Sequence, residues 1–253
     1  MSLTSFEGGS FQQEVLGKFT ALWLLRQRWG GCLILSCGLG GEGAALALAA
    51  NIAGAVCLSV EPDAEVLKAA SRSGACDFAV NTLDEALRTM KNELRKAQPL
   101  SVGLRGGTTA VLAEILERGL LPMIAADLSL PATDAVSAAM SRLQGMGARI
   151  VDFDGRKMVG GSVDAKSLLE QWTLQNGWRL RCLSAEDRTD LTALDDALQK
   201  LLTPEDTLRR RWLQRAPLHF RRERPLCRAV WVSESEGSAL RDAGRVLSAQ
   251  SHS

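Results

Sequence analysis

CLILSCGLGGEGAALALAANIAGAVCLSVE, residues 32–61, places a strand, a turn, a helix, a second strand and an acid in one uninterrupted run. Residues 32–37 form an apolar segment of strand length. Gly38, Gly40 and Gly43 follow at G-x-G-x-x-G spacing, with Gly41 as an extra glycine and Leu39 and Glu42 between them. The spacing predicts a helix over residues 43–52, ended by Gly54, and a strand over residues 55–60 that runs into Glu61. In such a run the first glycine permits a tight strand-to-helix turn, the second lets backbone N–H groups approach a pyrophosphate, and the third lets the helix pack close to the sheet. The helix's unpaired N–H groups and positive dipole end favour an anion. A carboxylate at Glu61 can accept hydrogen bonds from both adenosine ribose hydroxyls and would repel a 2′-phosphate, which points to NAD rather than NADP. An S-adenosylmethionine site uses a similar turn and the same acidic position. A turn that serves packing alone is the remaining alternative.

Working outward, strands and helices alternate. A helix is expected over residues 11–29 after a frayed stretch at 1–10. Beyond Glu61 come a helix at 62–73, a strand at 77–80, a helix at 82–96 with a capping-box start at Thr82 and Glu85, and a strand at 99–104. A helix at 108–118, a strand at 121–126, a helix at 131–146 and a strand at 149–153 complete the alternation. This pattern predicts an α/β fold: a Rossmann-like, doubly wound, mostly parallel sheet over about residues 30–153. Ligands of such sheets sit outside the carboxyl ends of the strands, where the 38–43 turn, Glu61, the 105–108 turn with Gly106 and Gly107, and the 127–129 turn with Asp127 and Ser129 would gather.

The division expected is a dinucleotide-binding domain at 1–153 and a C-terminal α/β extension at 154–253. In the extension GRKMVGG (155–161) reads as a loop or hairpin, 164–175 as a helix and 178–183 as a strand. Helices are expected at 191–202 and at 204–215, the latter capped by Thr203, then a strand at 229–232 and a helix at 238–247.

Several motifs together resemble the NAD-binding domain of the urocanase (urocanate hydratase) family: Gly8-Gly9-Ser10-Phe11 ahead of the first helix, GLGGEGAALALAANIAGAVCLSVE, LDEAL at 83–87, PLSVGLRGG at 99–107 followed by LAEILERGLLP, and AADLSLP at 125–131. In that family NAD is a catalytic electrophile whose nicotinamide ring adds to the substrate imidazole, with no net redox change. The resemblance implies that Gly38, Gly40, Gly41 and Gly43 meet the pyrophosphate and Glu61 the adenosine ribose. Gly106, Gly107 and the Asp127–Ser129 turn would line the cofactor's other side. The chain departs from the family at Gly107, where an asparagine is usual, and at Leu128–Thr133, which lacks the family's amide, hydroxyl and imidazole. The family's larger core, which carries its catalytic cysteine, has no counterpart here, so hydration of urocanate by this polypeptide alone is not expected.

The remaining features bound the function further. The chain of 253 residues has a formal net charge of +1, which implies no strongly charged partner overall. The N-terminus does not read as a signal peptide, residues 43–60 are interrupted by Gly54, Asn51 and Ser59, and a cytoplasmic protein without a membrane span is expected. Six cysteines without C-x-x-C spacing and two histidines speak against a zinc site, and the absence of tyrosine excludes Tyr-x-x-x-Lys hydride-transfer chemistry. Cys37 reads as a buried strand residue or as a nucleophile at a helix N-terminus. Glu42 reads as a helix-cap group or an opponent of phosphate, and Asp127 as a turn former, ligand anchor or acid–base group. His219 is not expected to act as a base. Arg209–Arg211, Arg215, Arg221, Arg222, Arg224 and Arg228, interleaved with Trp212, His219 and Phe220, form a basic run. It reads foremost as arginines paired with the protein's own acids, with an anionic ligand or partner interface next and nucleic acid, lacking any recognition motif, last.

The leading expectation is an NAD-binding relative of the urocanase cofactor domain, acting in addition–elimination chemistry on a small-molecule substrate or as one subunit of a split enzyme. A non-catalytic nucleotide-sensing or scaffold protein is a second class, and a methyltransferase or an NAD oxidoreductase a third. Self-association through the Trp23/Trp29 helix or the arginine segment is a further expectation.

Overall fold

The structure, a computed structural model, describes residues 4–129, 133–155, 159–220 and 225–237, with backbone alone for residues 4–10. Helix α1 (Thr4–Leu25) leads into β1 (Leu33–Cys37), α2 (Gly41–Ala53), β2 (Val56–Glu61), α3 (Ala64–Ser73), β3 (Phe78–Val80), α4 (Leu83–Lys96), β4 (Leu100–Arg105), α5 (Thr108–Glu117) and β5 (Ile124–Asp127). Then follow α6 (Asp134–Gly145), β6 (Arg149–Asp152), β7 (Val163–Asp164), α7 (Ala165–Asn176), β8 (Arg179–Ser184), α8 (Arg188–Leu201), α9 (Thr207–His219) and β9 (Cys227–Val232).

The seven-stranded sheet has the order β3-β4-β2-β1-β5-β6-β7, and all of its pairings are parallel. With the three-residue edge strand β3 set aside, this is the doubly wound order 3-2-1-4-5-6, whose direction of winding reverses at the central strand. The expected α/β class therefore holds. The reversal lies between β1 and β5, so the C-terminal ends of these two strands bound the ligand crevice of the fold.

Residues of β1 and β2 are buried on both faces, as parallel strands under two helical layers require. Leu33, Leu35, Cys37, Val56, Leu58 and Val60 face one apolar cluster with α4, α5 and α6, and Ile34 and Cys57 face the other. Helix α2 is buried from Ala45 to Ala53. It is apolar all round because the sheet lies on one side and α1 and α9 on the other. That accounts for the long apolar run, and among the described residues no helix is long and apolar enough to cross a membrane.

The C-terminal section adds a two-stranded antiparallel ribbon, β8–β9, laid on α1. Trp231 Nε1 donates to Thr20 Oγ1 at 2.9 Å, Gln12 Nε2 to the Cys227 carbonyl at 3.0 Å, and Trp212 Nε1 to the Ala229 carbonyl at 2.7 Å. One apolar cluster joins α1, α2, α8, α9 and β9 across the division expected at residue 153.

Several boundaries differ from expectation. Helix α1 begins at Thr4, where fraying was expected, and ends at Leu25. Trp29 lies past its end, buried, with Nε1 donating back to the Leu22 carbonyl. The GRKMVGG segment, expected as a loop or hairpin, lies partly outside the described residues, and the strand that follows it, β7, pairs parallel to β6. Helix α9 is capped by Asp206, which accepts from Arg209 N at 3.2 Å, rather than by Thr203. The capping box of α4 is present as expected, with Thr82 Oγ1 accepting from Glu85 N at 3.2 Å. The helix expected at 238–247 lies outside the described residues.

Candidate functional site

Gly38 closes β1 with φ +94°, and its N–H donates to the Val60 carbonyl at 2.8 Å. A Cβ on Gly38 would lie 2.7 Å from the Leu128 carbonyl oxygen, and one on Gly43 would lie 2.2 Å from the Gly38 carbonyl oxygen. No side chain fits at either position. At Gly40 and Gly41, by contrast, an added Cβ would meet nothing within 4 Å, and both residues are exposed. The turn is thus tight toward the protein and bare toward the crevice.

Helix α2 starts at Gly41 with Gly40 as N-cap and no side chain on its first N–H groups. Helix α5, after β4, likewise has Gly107 as N-cap and no side-chain acceptor. Helices α3, α4, α6, α7, α8 and α9 all have a capping Asp or Thr. The two bare helix ends follow β1 and β4, on either side of β2, and leave donors and positive dipole ends open to an anion. Gly106 approaches Val111, whose Cγ2 would lie 2.8 Å from a Cβ there, whereas Gly107 faces open space.

Glu61, 7% exposed, sits between these turns. Its Oε2 accepts from Leu39 N at 2.8 Å, its Oε1 from Asp63 N at 3.0 Å, and its carbonyl from Gly106 N at 3.2 Å. The carboxylate therefore clamps the glycine turn to the start of α3, a role its position in the sequence did not disclose. Leu39 contributes its N–H, while its side chain is buried beside Gly103. A carboxylate has about four acceptor positions, so two backbone donors leave room for others.

Across the switch point, Asp127 Oδ1 accepts from Ser129 N at 2.9 Å and from the Ser129 hydroxyl. Asp127 Oδ2 is buried and has no hydrogen-bond partner among the described residues. Asp127 is 7% exposed and stands opposite Cys37 in the β1–β5 register, and Leu128 N donates to the Cys37 carbonyl at 2.7 Å. An oxygen buried without a donor is costly to leave so. It fits a ligand hydroxyl or amide arriving at the crevice.

Cys37 is fully buried, and burial first, then the charge of Asp127, push its thiol well above the ordinary range. The nucleophile reading of Cys37 fails on both counts. Glu42, in the first turn of α2, is paired with Lys18 of α1. Lys18 also pairs with Glu14 at 3.3 Å, and its side chain is only 6% exposed. Glu42 thus anchors α1 to α2. Sequence reasoning missed Glu14 and Lys18. Their one signal was a lysine set among Val15, Phe19 and Leu22 on the apolar side of α1.

Apart from the exposed Arg215, the described arginines of the basic run are spent within the chain. Arg209 pairs with Asp206 and, at 2.8 Å, with Glu236, and lies 4.4 Å from the Trp178 ring centroid. Arg210 donates to the Leu202 carbonyl at 3.1 Å. Arg211 caps the C-terminus of α2 through the carbonyls of Ile52 and Ala53, at 2.9 and 2.8 Å. Arg228 forms a buried two-point pair with Asp195, both contacts at 2.8 Å. Arg221, Arg222 and Arg224 lie outside the described residues. Among the described residues no group of His, Cys, Asp or Glu has the arrangement to hold a metal ion.

The family model of the urocanase Rossmann-like domain matches residues 16–154, more than half of the chain. The match runs from α1 through β6 and takes in the glycine turn, Glu61, the α5 turn and Asp127.

Proposed function

The chain belongs to the urocanase Rossmann-like domain family, and from that premise we propose that it binds NAD across the β1–β5 switch point. The observation that carries the reading is the first turn of α2, where Gly40 and Gly41 leave helix N–H groups free of any side-chain cap. The pyrophosphate would rest on residues 38–43 and the adenosine ribose against Glu61. The bare start of α5 at Gly106 and Gly107 lies on the β4 side of that ribose position. The other half of the dinucleotide would reach Asp127 and Ser129, giving the orphaned Asp127 Oδ2 a donor. Bound there, NAD supplies the electrophilic nicotinamide ring that the family uses in addition–elimination chemistry. The protein's own residues hold the diphosphate, fix the sugars and keep the turn closed. The substrate is a small molecule, and the chain acts on it alone or as the cofactor-holding subunit of a two-part enzyme.

Calorimetric titration of the intact protein with NAD, NADP and S-adenosylmethionine tests this. NAD is expected to bind tightest, and Glu61→Ala to weaken it by about 1.5–3 kcal/mol, the scale of hydrogen bonds to a charged group. No heat with NAD, or tighter binding of S-adenosylmethionine, would overturn the proposal.

A further inference from the structure

Cys182 and Cys227 meet on the β8–β9 ribbon. The register sets Cys182 opposite Ala229 and Ser184 opposite Cys227, so the two cysteines are diagonal neighbours on one face of the antiparallel pair. That face lies on α1, from which Gln12 Nε2 donates to Cys227 Sγ at 3.7 Å and to the Cys227 carbonyl at 3.0 Å. The Cys182 thiol in turn donates a hydrogen bond to Cys227 Sγ. Both are free thiols, Cys227 buried and Cys182 half-buried.

The two sulfurs share a proton unequally. The hydrogen bond from Cys182 draws the Cys227 thiol down to about 7, against its burial and with the help of the Arg228 charge. The same bond holds the Cys182 proton more firmly. A substantial share of the pair is thiolate at neutral pH, and the thiolate is the form that attacks an oxidant. Transfer of the shared proton moves the negative charge to Cys182, the more accessible sulfur. The chain's other cysteines, Cys32, Cys37, Cys57 and Cys76, are all buried. Burial is the first cause that raises the thiols of Cys37, Cys57 and Cys76, and Cys76 Sγ donates to the Phe78 carbonyl at 3.0 Å. The ribbon therefore carries a dithiol set apart from the remaining cysteines by contact, access and acidity.

We propose that Cys182 and Cys227 are a reversible oxidation site, where hydrogen peroxide converts the two thiols into a disulfide that staples β8 to β9. The thiolate attacks one peroxide oxygen and breaks the O–O bond, leaving a sulfenic acid and hydroxide. The neighbouring thiol then displaces the sulfenic hydroxyl as water, and the S–S bond forms. Across both steps the thiols lose two electrons and two protons, and the peroxide is reduced to two waters. The sulfurs must close to about 2 Å, an approach that side-chain rotation and the twist of a two-stranded ribbon supply. The bridge closes the loop that carries α8 and α9 and so removes freedom from the unfolded chain.

Hydrogen peroxide serves as the probe, added to the intact, fully reduced protein after the reductant is removed. Two of the six thiols should be lost, with peptide mapping joining the Cys182 and Cys227 segments and dithiothreitol restoring both thiols. The oxidised protein should have a higher urea midpoint than the reduced one, and dithiothreitol should return it to the starting value. Cys182→Ser, at a half-buried position, should abolish both the bridge and the peroxide-dependent rise in midpoint. Sulfinic or sulfonic acid at these two cysteines in place of a bridge would overturn the assignment. So would a bridge between Cys57 and Cys76 or between two chains, an oxidised midpoint no higher than the reduced one, or a rise that survives Cys182→Ser. Peptide mapping of the parent protein decides the bridge even where the variant folds poorly. None of these outcomes bears on NAD, which is titrated separately.

Discussion

Gly43 and Gly41 lie in the same turn, yet alanine should act on them in opposite ways. At Gly43 the new methyl would sit 2.2 Å from a backbone carbonyl that cannot swing aside. The turn must open, and Gly43→Ala should cost about 1–3 kcal/mol of stability, as overpacking does, and abolish dinucleotide binding with it. At Gly41 the methyl meets nothing within 4 Å, so Gly41→Ala should leave stability within about 1 kcal/mol of the parent. It should still weaken NAD if the diphosphate binds as proposed, because the methyl would occupy the turn's bare face. Urea unfolding and calorimetry on the two variants separate these effects. Unchanged NAD affinity in Gly41→Ala would sink the placement of the pyrophosphate. The need for glycine at 38 and 43 was legible in the spacing alone, since only a strand–turn–helix junction demands that pattern. The clamp made by Glu61 on Leu39 and Asp63 was not. An acid at a strand end has the same sequence signature whether it serves the backbone, a sugar or both.

Elements were legible in proportion to how much of their identity is local. β1, β2 and β4 declared themselves because buried parallel strands must be continuously apolar, and α4 because its capping box and charged face are encoded within its own residues. β7 escaped notice because two residues carry no periodicity, and its strand character comes from pairing with β6. Thr203 looked like the cap of α9 because it precedes Pro204, but the helix starts later and Asp206 takes the first-turn N–H. The arginines of α9 show most plainly where a linear reading stops: composition reports a positive run and says nothing of the carbonyls and carboxylates that other elements bring to it. Arg211 donates twice to the C-terminal carbonyls of α2, where a cation also favours the helix dipole. Arg211→Ala should therefore destabilise the protein by about 1–3 kcal/mol. Arg215→Ala, at an exposed position, should change stability by no more than about 0.5 kcal/mol. Equal urea midpoints for the two variants would refute the view that this stretch of basic sequence is structural.

At the scale of the molecule, the two faces of the sheet are covered differently. The face bearing α4, α5 and α6 is closed by residues between Leu33 and Val159, so nearly all of it lies within the family-matched segment. The other face is not self-sufficient. Helix α2 has its outer side covered by α1 and α9, and α1 in turn is covered by the β8–β9 ribbon. Leu16, Phe19 and Leu22 of α1 share one cluster with Leu198, Trp212, Phe220 and Trp231. The polar groups of α1 are committed across the same boundary: Gln12 to the Cys227 carbonyl and Ala229 N–H, and Thr20 to Trp231. We propose from this that residues 154–253 complete the Rossmann-like domain's own core instead of forming a separable unit. A chain ended after residue 155 should then expose the outer surfaces of α1 and α2, bind a hydrophobic dye, and lose the sharp cooperative urea transition of the intact protein. Loss of NAD binding should accompany that loss, because the glycine turn is braced from behind by α2 and by the Lys18–Glu42 pair. A shortened chain that unfolds as cooperatively as the parent and still binds NAD would restore residue 153 as a true domain boundary. The C-terminal section would then be an accessory rather than half of one hydrophobic face.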